Sequence, residues 1–225
     1  RLGEYSKALS YYFKALKIGE EIGDKWNQAS NYGNIGGVYV DQGDYSKALD
    51  YFFKALKINE EIGNKNNQAI NLGNIGRVYF DQEDYSKSLD YHFKALKINE
   101  EIGSKYGQAL DLMSIGSVYY HQKYFSQAFD YFVKALKINE EIGDKQGQAS
   151  ALSNIGNFYF VQDDYTKSLD YYFKGLKIFE EIGDKQYQAV NLGYIGKVYI
   201  KQKKYKEADQ YIQQAIEIGE ELGII

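Results

Sequence analysis

The chain has no cysteine and no proline, and only two histidines, one methionine and one tryptophan among its 225 residues. Without cysteine there is no disulfide framework, no thiol nucleophile and no cysteine-based zinc site. Positive charge is not in excess: 27 Lys and Arg face 31 Asp and Glu, for a formal net charge of −4 and a pI near 5.4. A phosphate-backbone binder needs a basic stripe to release counterions, so nucleic acid is not an expected partner. Long apolar runs are also missing. No segment approaches the roughly 18 apolar residues of a membrane-spanning helix, and no charged and apolar leader opens the sequence, so no membrane partner is expected. The chain reads as soluble, with the cytoplasm as the default compartment. A glycine-rich phosphate loop, a nucleophile elbow and a catalytic dyad are all absent. The expectation is a non-enzymatic chain with no catalytic residue, no cofactor and no metal site.

What is present is repetition. The stretch NIGRVYFDQEDYSKSLDYHFKALKINEEIGSK, residues 74–105, returns at one constant interval along the chain, which places Ile35, Ile75, Ile115, Ile155 and Ile195 in register. A fixed period of this size marks a solenoid, in which each unit buries its apolar face against its neighbours. The whole of 1–225 is expected to be one continuous domain: a half repeat at 1–28, then repeats at 29–68, 69–108, 109–148, 149–188 and 189–225. Arg1 opens the chain partway through a unit, which suggests a piece of a longer protein.

Each repeat reads as two helices. Ala69, Leu72, Ile75, Gly76 and Tyr79 fall at the three-and-four spacing of one helix face. Tyr85, Leu89, His92, Phe93, Leu96 and Ile98 give the second helix a broader apolar surface, as expected for a layer packed on two sides. Alternation of period two is absent, so strands are not expected. Gly23, Gly63, Gly103, Gly143 and Gly183 each end an apolar run and precede Asp24, Asn64, Ser104, Asp144 or Asp184. The glycine supplies a left-handed stop and the next side chain an oxygen for the following helix. Asp44, Asp84 and Asp164 cap the mid-repeat turn, whereas Tyr124 and Lys204 cannot, at a cost of about 1 kcal/mol each. Helices of about 16 to 18 residues, roughly 25 Å long, follow. Asp50 and Lys54, with their copies at 90, 130 and 170, have the favourable order for solvent-facing ion pairs. His92 replaces Phe52 or Phe132 in a core row and is expected to be buried and hydrogen-bonded.

These residues resemble the tetratricopeptide repeat: Leu72, Ile75, Gly76 and Tyr79 in the first helix, then Ser88, His92 and Ala95, or better Ala48, Phe52 and Ala55, in the second. The family's usual proline is replaced by Glu60, Glu100, Glu140 and Glu180, and the unit is longer than the family's usual length of about 34 residues. In this it is similar to the longer-repeat branch found in Pins and LGN polarity adaptors, kinesin light chains and bacterial MalT-like regulators. The resemblance implies an all-α, right-handed superhelical solenoid of antiparallel helix pairs, here five pairs preceded by one orphan helix. Gly76 and Ala95 would let helices approach, with Tyr79 and Phe93 filling the space between.

In such arrays the first helices line the concave face, and that face is where the copies differ. Asn34, Asn74 and Asn154 form a ladder of amides able to hold the backbone of an extended peptide; Ser114 and Tyr194 interrupt it. Phe80, Tyr120, Phe160 and Ile200 form an aromatic and apolar row. That row serves either as pockets for a partner's side chains or as packing at the inner rim. Arg77, Asn157, Lys197 and Lys201 complete the candidate surface, with Asp41 and Asp81 early and lysines late. Gly33, Gly73 and Gly193 reflect either close helix packing or the approach of a bound chain.

The partner is thus expected to be a protein or peptide. Two other readings stay open: a regulatory or sensor segment of a larger signalling protein, and a structural spacer built of consensus-like copies. The orphan first helix and the apolar end at Ile212, Ile216, Leu222, Ile224 and Ile225 suggest end-to-end self-association.

Overall fold

The computed structural model describes residues 2–223, with side chains from residue 4 onward. Ile224 and Ile225 lie outside the described residues. Among the described residues there are eleven helices and no strand. In chain order they are α1 (Leu2–Glu21), α2 (Lys25–Asp41), α3 (Tyr45–Glu61), α4 (Lys65–Asp81), α5 (Tyr85–Glu101), α6 (Lys105–His121), α7 (Phe125–Ile142), α8 (Lys145–Val161), α9 (Tyr165–Glu181), α10 (Lys185–Lys201) and α11 (Tyr205–Glu221). Even-numbered helices are the first of each repeat and odd-numbered ones the second.

The turns between repeats use one residue for two tasks. Gly23, Gly63, Gly103, Gly143 and Gly183 have φ between +68° and +72°, a region that a side chain makes costly. The next amide closes the finished helix, as Asp24 N does by donating to the Gly19 carbonyl at 2.8 Å. Its side chain then opens the next helix: Asp24, Asn64, Ser104, Asp144 and Asp184 each accept from the amide three residues on, at 3.0 to 3.2 Å. Asp44, Asp84 and Asp164 do the same at the mid-repeat turn, while Tyr124 and Lys204 make no side-chain cap. That turn also needs a left-handed residue. Gly43 supplies it once, but Glu83, Lys123, Asp163 and Lys203 adopt φ of 57° to 65° without being glycine.

The helices fall into two compact units, residues 1–118 and 119–225, the division lying within α6. In the first, α1 packs on α2, α2 on α3, α3 on α4 and α4 on α5. In the second, α7 packs on α8, α8 on α9, α9 on α10 and α10 on α11. Ile35, Ile75, Ile115, Ile155 and Ile195 are fully buried, each contributing roughly 1.5 to 3 kcal/mol of apolar burial. Within a repeat the two helices meet at a glycine seat. A Cβ on Gly36 would lie 2.7 Å from the Phe52 ring, one on Gly156 2.7 Å from the Tyr172 ring, and one on Gly196 2.6 Å from Ile212. Gly76 seats His92 in the same way, at 2.8 Å.

Tyrosines stack beside each seat. Tyr39 lies on Tyr51, Tyr79 on Tyr91, Tyr119 on Tyr131, Tyr159 on Tyr171 and Tyr199 on Tyr211, with centroids 5.4 to 5.5 Å apart and planes within 11° to 14°. Two expectations need correction. Phe93, 37% exposed like Phe53, is not what fills the space at Gly76: His92, one residue earlier, occupies that seat. His92 is buried, yet its Nδ1 has no hydrogen-bond partner, because the Asp111 carboxylate stops 3.9 Å short of it.

Asp50–Lys54, Asp90–Lys94 and Asp170–Lys174 pair at 2.6 to 2.7 Å as their spacing foretells. A longer tie, which no local spacing announces, runs from the first residue of a first helix to the end of the second helix that follows it. Lys25 reaches Glu61 at 3.3 Å, Lys65 reaches Glu101 at 3.6 Å, and Lys185 meets Glu221.

Candidate functional site

In the first unit, α4 and the first turns of α6 border a groove of about 750 Å³. Asn74, Arg77, Phe80 and Ser114 all line it. A smaller hollow of about 370 Å³ adjoins along α2, lined by Asn34 and Asp41 and again by Asn74 and Arg77. Five of the sequence-derived residues are therefore brought to one surface. They reach it because Ile35 and Ile75, one residue after each asparagine, point into the core and turn the amides outward.

The side-chain amides of Asn34 and Asn74 make no hydrogen bond among the described residues, and neither does that of Asn154 in the second unit. Ser114 is different: its hydroxyl donates to the Leu110 carbonyl at 3.0 Å. Arg77 is exposed and reaches toward Asp81, one turn on, at 4.0 Å. The glycines of this face are not required by helix packing. A Cβ on Gly33 would come no nearer than 3.7 Å to anything and one on Gly73 no nearer than 3.8 Å, while Gly37 and Gly193 have open space. Phe80 packs on Tyr85 with ring centroids 5.8 Å apart and planes tilted by 59°.

In the second unit the expected residues are more engaged with the fold. Tyr194 stacks on Tyr172 at 5.3 Å, and the Tyr172 hydroxyl donates to Asn157 Oδ1 at 2.6 Å. Burial pushes the Tyr172 phenol well above its usual range. Tyr120, half-buried, lies 5.3 Å from Phe125, and its phenol is raised by burial first and by the neighbouring Tyr194 second. Phe160 lies 6.0 Å from Tyr165 and carries the Lys197 ammonium 5.0 Å above its ring. Lys201 is exposed at the end of α10. Thus Asn157 and Tyr194 help to seat Tyr172, while Asn154, Lys197 and Lys201 keep polar groups toward solvent.

The floor of the large groove holds three residues that sequence reasoning did not place there, two of them, Asn99 and Asp111, passed over altogether. His92, Asn99 and Asp111 are buried, at 4%, 6% and 6% exposure. Asn99 Nδ2 donates to Asp111 Oδ2 at 2.8 Å. Comparing equivalent positions of the repeats would have exposed Asp111, the only acid at its place in the repeat. Also unforeseen was a recurrent glutamine. Gln28, Gln68, Gln108, Gln148 and Gln188 each donate to the carbonyl nine residues earlier at 2.9 to 3.1 Å, closing the end of the preceding helix. Among the described residues no group of three or more acidic, histidine or cysteine side chains could hold a metal ion, and no helix is long and apolar enough to cross a membrane.

The sequence pattern of the tetratricopeptide repeat matches residues 1–61, 27–101, 67–141 and 147–221. The chain belongs to the tetratricopeptide repeat family. No curated protein matches it in sequence. Among solved structures, this tetratricopeptide repeat protein is similar to BtubC (BKLC) from P. vanneervenii, at a TM-score of 0.83 and 16% identity, over 97% of this chain and 92% of that one. It is similar to the apo form of RapI at 0.76 and 20% identity, over 98% and 93%. It is also similar to the Rap conjugation gene regulator of plasmid pLS20, solved with the Phr* peptide, at 0.77 and 17% identity. There it covers 91% of this chain but only 57% of the regulator. At these identities the likeness is one of fold, and it establishes the all-α architecture of paired repeat helices.

Proposed function

We propose that this tetratricopeptide repeat chain is a non-enzymatic interaction module that holds an extended peptide along the faces of its first helices. The observation carrying this reading is the pair of unengaged amides, Asn34 and Asn74, at one groove surface. A side-chain amide offers both donor and acceptor, which suits the peptide backbone without dictating side chains. The open space beside Gly33, Gly37 and Gly73 supports it further, since glycine in a helix interior costs roughly 1 kcal/mol and packing does not call for it here. That a structural neighbour was solved with a peptide fits the same reading.

The test is selection from a displayed peptide library with the wild-type chain and with the triple variant Asn34→Ala, Asn74→Ala, Asn154→Ala, its helicity checked by circular dichroism. Peptides retained by the first and lost by the second support the groove. Equal retention by both assigns binding elsewhere.

A second reading is a regulatory segment of a signalling protein, which the neighbour solved with the Phr* peptide favours. Within that reading the bound peptide would act as the signal.

A further inference from the structure

The repeats place Asn31, Asn71, Asp111, Ala151 and Asn191 at one equivalent position of the first helix. The asparagine amides donate within their own helix. Asn31 Nδ2 donates to the Asn27 carbonyl at 2.9 Å, Asn71 Nδ2 to the Asn67 carbonyl at 2.8 Å, and Asn191 Nδ2 to the Tyr187 carbonyl at 3.3 Å. An ionised carboxylate cannot donate, so Asp111 must be held in some other way. Asn99 does this on one side only, bonding Oδ2 at 2.8 Å. To reach it, Asn99 forgoes the bond to its own helix that its counterpart Asn59 makes with the Ala55 carbonyl at 3.0 Å. Gly107 makes the room, since a Cβ there would lie 2.4 Å from Asn99 Cγ.

Oδ1 of Asp111 is left without a protein donor. The nearest candidate, His92 Nδ1, is 3.9 Å away, beyond hydrogen-bond reach, and is itself buried with no partner. The two side chains thus meet at the floor of the 750 Å³ groove. Burial of a carboxylate without a compensating cation is unfavourable, and the groove's arginine, Arg77, is directed along α4 to Asp81 instead. Above the floor, Ile70, Tyr106 and Leu110 stand 50% to 57% exposed, an apolar wall of unusual extent for solvent-facing positions.

We propose that Asp111 and His92 form a pocket for a cationic nitrogen of the bound peptide, either a lysine or arginine side chain or a free amino terminus. This rests on the peptide-binding reading above. The nitrogen donates to Asp111 Oδ1, beside the His92 ring. The carbon stem beside the charge lies along Ile70, Tyr106 and Leu110, the environment such amphipathic groups take. Asn99 is a positioning residue that fixes the carboxylate. The other repeats lack the pocket, so it sets the register of the peptide along the groove.

The deciding experiment compares the wild-type chain with Asp111→Asn, a near-isosteric change that installs the residue already present at positions 31, 71 and 191. Both are used to sort one displayed library, prepared once with free and once with acetylated amino termini. The expected result is that wild type selects peptides with a basic residue at one fixed position, about tenfold over the same peptide with norleucine there. Asp111→Asn should retain those peptides while the preference falls below about twofold. Persistence in the acetylated library assigns the charge to a side chain; loss there assigns it to the amino terminus. A basic preference that is unchanged in Asp111→Asn overturns the proposal. So does selection of peptides with no charged nitrogen at a fixed position, which would leave the peptide-binding reading intact. Selection of no peptide at all by the wild-type chain overturns both.

Discussion

His92 occupies the space that a methyl group on Gly76 would need, with its Cδ2 2.8 Å from that position. One turn away, Gly73 has nothing nearer than Asp111 Oδ1 at 3.8 Å. Two glycines on neighbouring turns of α4 therefore serve opposite ends. Gly76→Ala is expected to destabilise the chain by about 1–3 kcal/mol through overpacking. Gly73→Ala is expected to stabilise it by about 0.5–1 kcal/mol through reduced freedom of the unfolded chain. Urea denaturation of the two single variants checks both signs.

Glu83, Lys123 and Lys203 hold left-handed backbone with a Cβ in place, at an intrinsic cost of roughly 1–2 kcal/mol each. Replacement by glycine relieves that cost, less the added entropy of the unfolded chain. Glu83→Gly and Lys203→Gly should each raise stability by about 0.5–1 kcal/mol. Asp163→Gly should gain less, because Asp163 Oδ1 accepts the Tyr165 hydroxyl at 2.6 Å. Thermal melts of the three variants would rank them.

The two uncapped second helices offer another handle. Tyr124→Asp and Lys204→Asp reproduce the cap present at Asp44, Asp84 and Asp164, and each should add about 1 kcal/mol. No gain in melting temperature from Lys204→Asp would show that this helix start is limited by something other than its free amides.

Burial, then the charge of the stacked partner, raises the phenols of Tyr51, Tyr91 and Tyr131 above their ordinary value near 10; Tyr199 is raised by burial and by its partner Tyr211. The sign follows from proton counting. Above about pH 10 the unfolded chain releases these protons while the folded chain keeps them, so stability fully present below that pH is lost as pH rises through the raised folded values. A spectroscopic alkaline titration should show a set of phenolates forming late and together with loss of helix. Gradual ionisation of every tyrosine at its ordinary pH, with helicity intact, would contradict the packing of these stacks.

The repeat period, the helix pairs and the caps were legible in the sequence because each depends on residues close in the chain. Asp24 and Gly23 are adjacent, and the glycine seats recur at a fixed spacing from the core isoleucines. Asn34, Asn74, Arg77, Phe80 and Ser114 were also legible as one surface, since a single helical face in register defines them. What could not be read was contact between different helices at irregular positions. Asp111 and His92 sit on separate helices, α6 and α5, and neither belongs to a spacing that announces chemistry. Nor could periodicity tell Phe93 from His92, since both fall on the broad apolar surface of α5 and only the glycine seat separates them.

The tyrosine stacks repeat with centroids at 5.4 to 5.5 Å in all five repeats, even where the groove residues beside them change from Asn to Ser or Tyr. The stacks of the scaffold are therefore kept while the groove residues vary. A stretch of gene encoding one repeat can be duplicated, lost or exchanged between copies, and each junction still finds the seat, the stack and the cap it needs. Recombination among such similar copies can then reorder the chemistry of the groove without having to invent a new fold to display it.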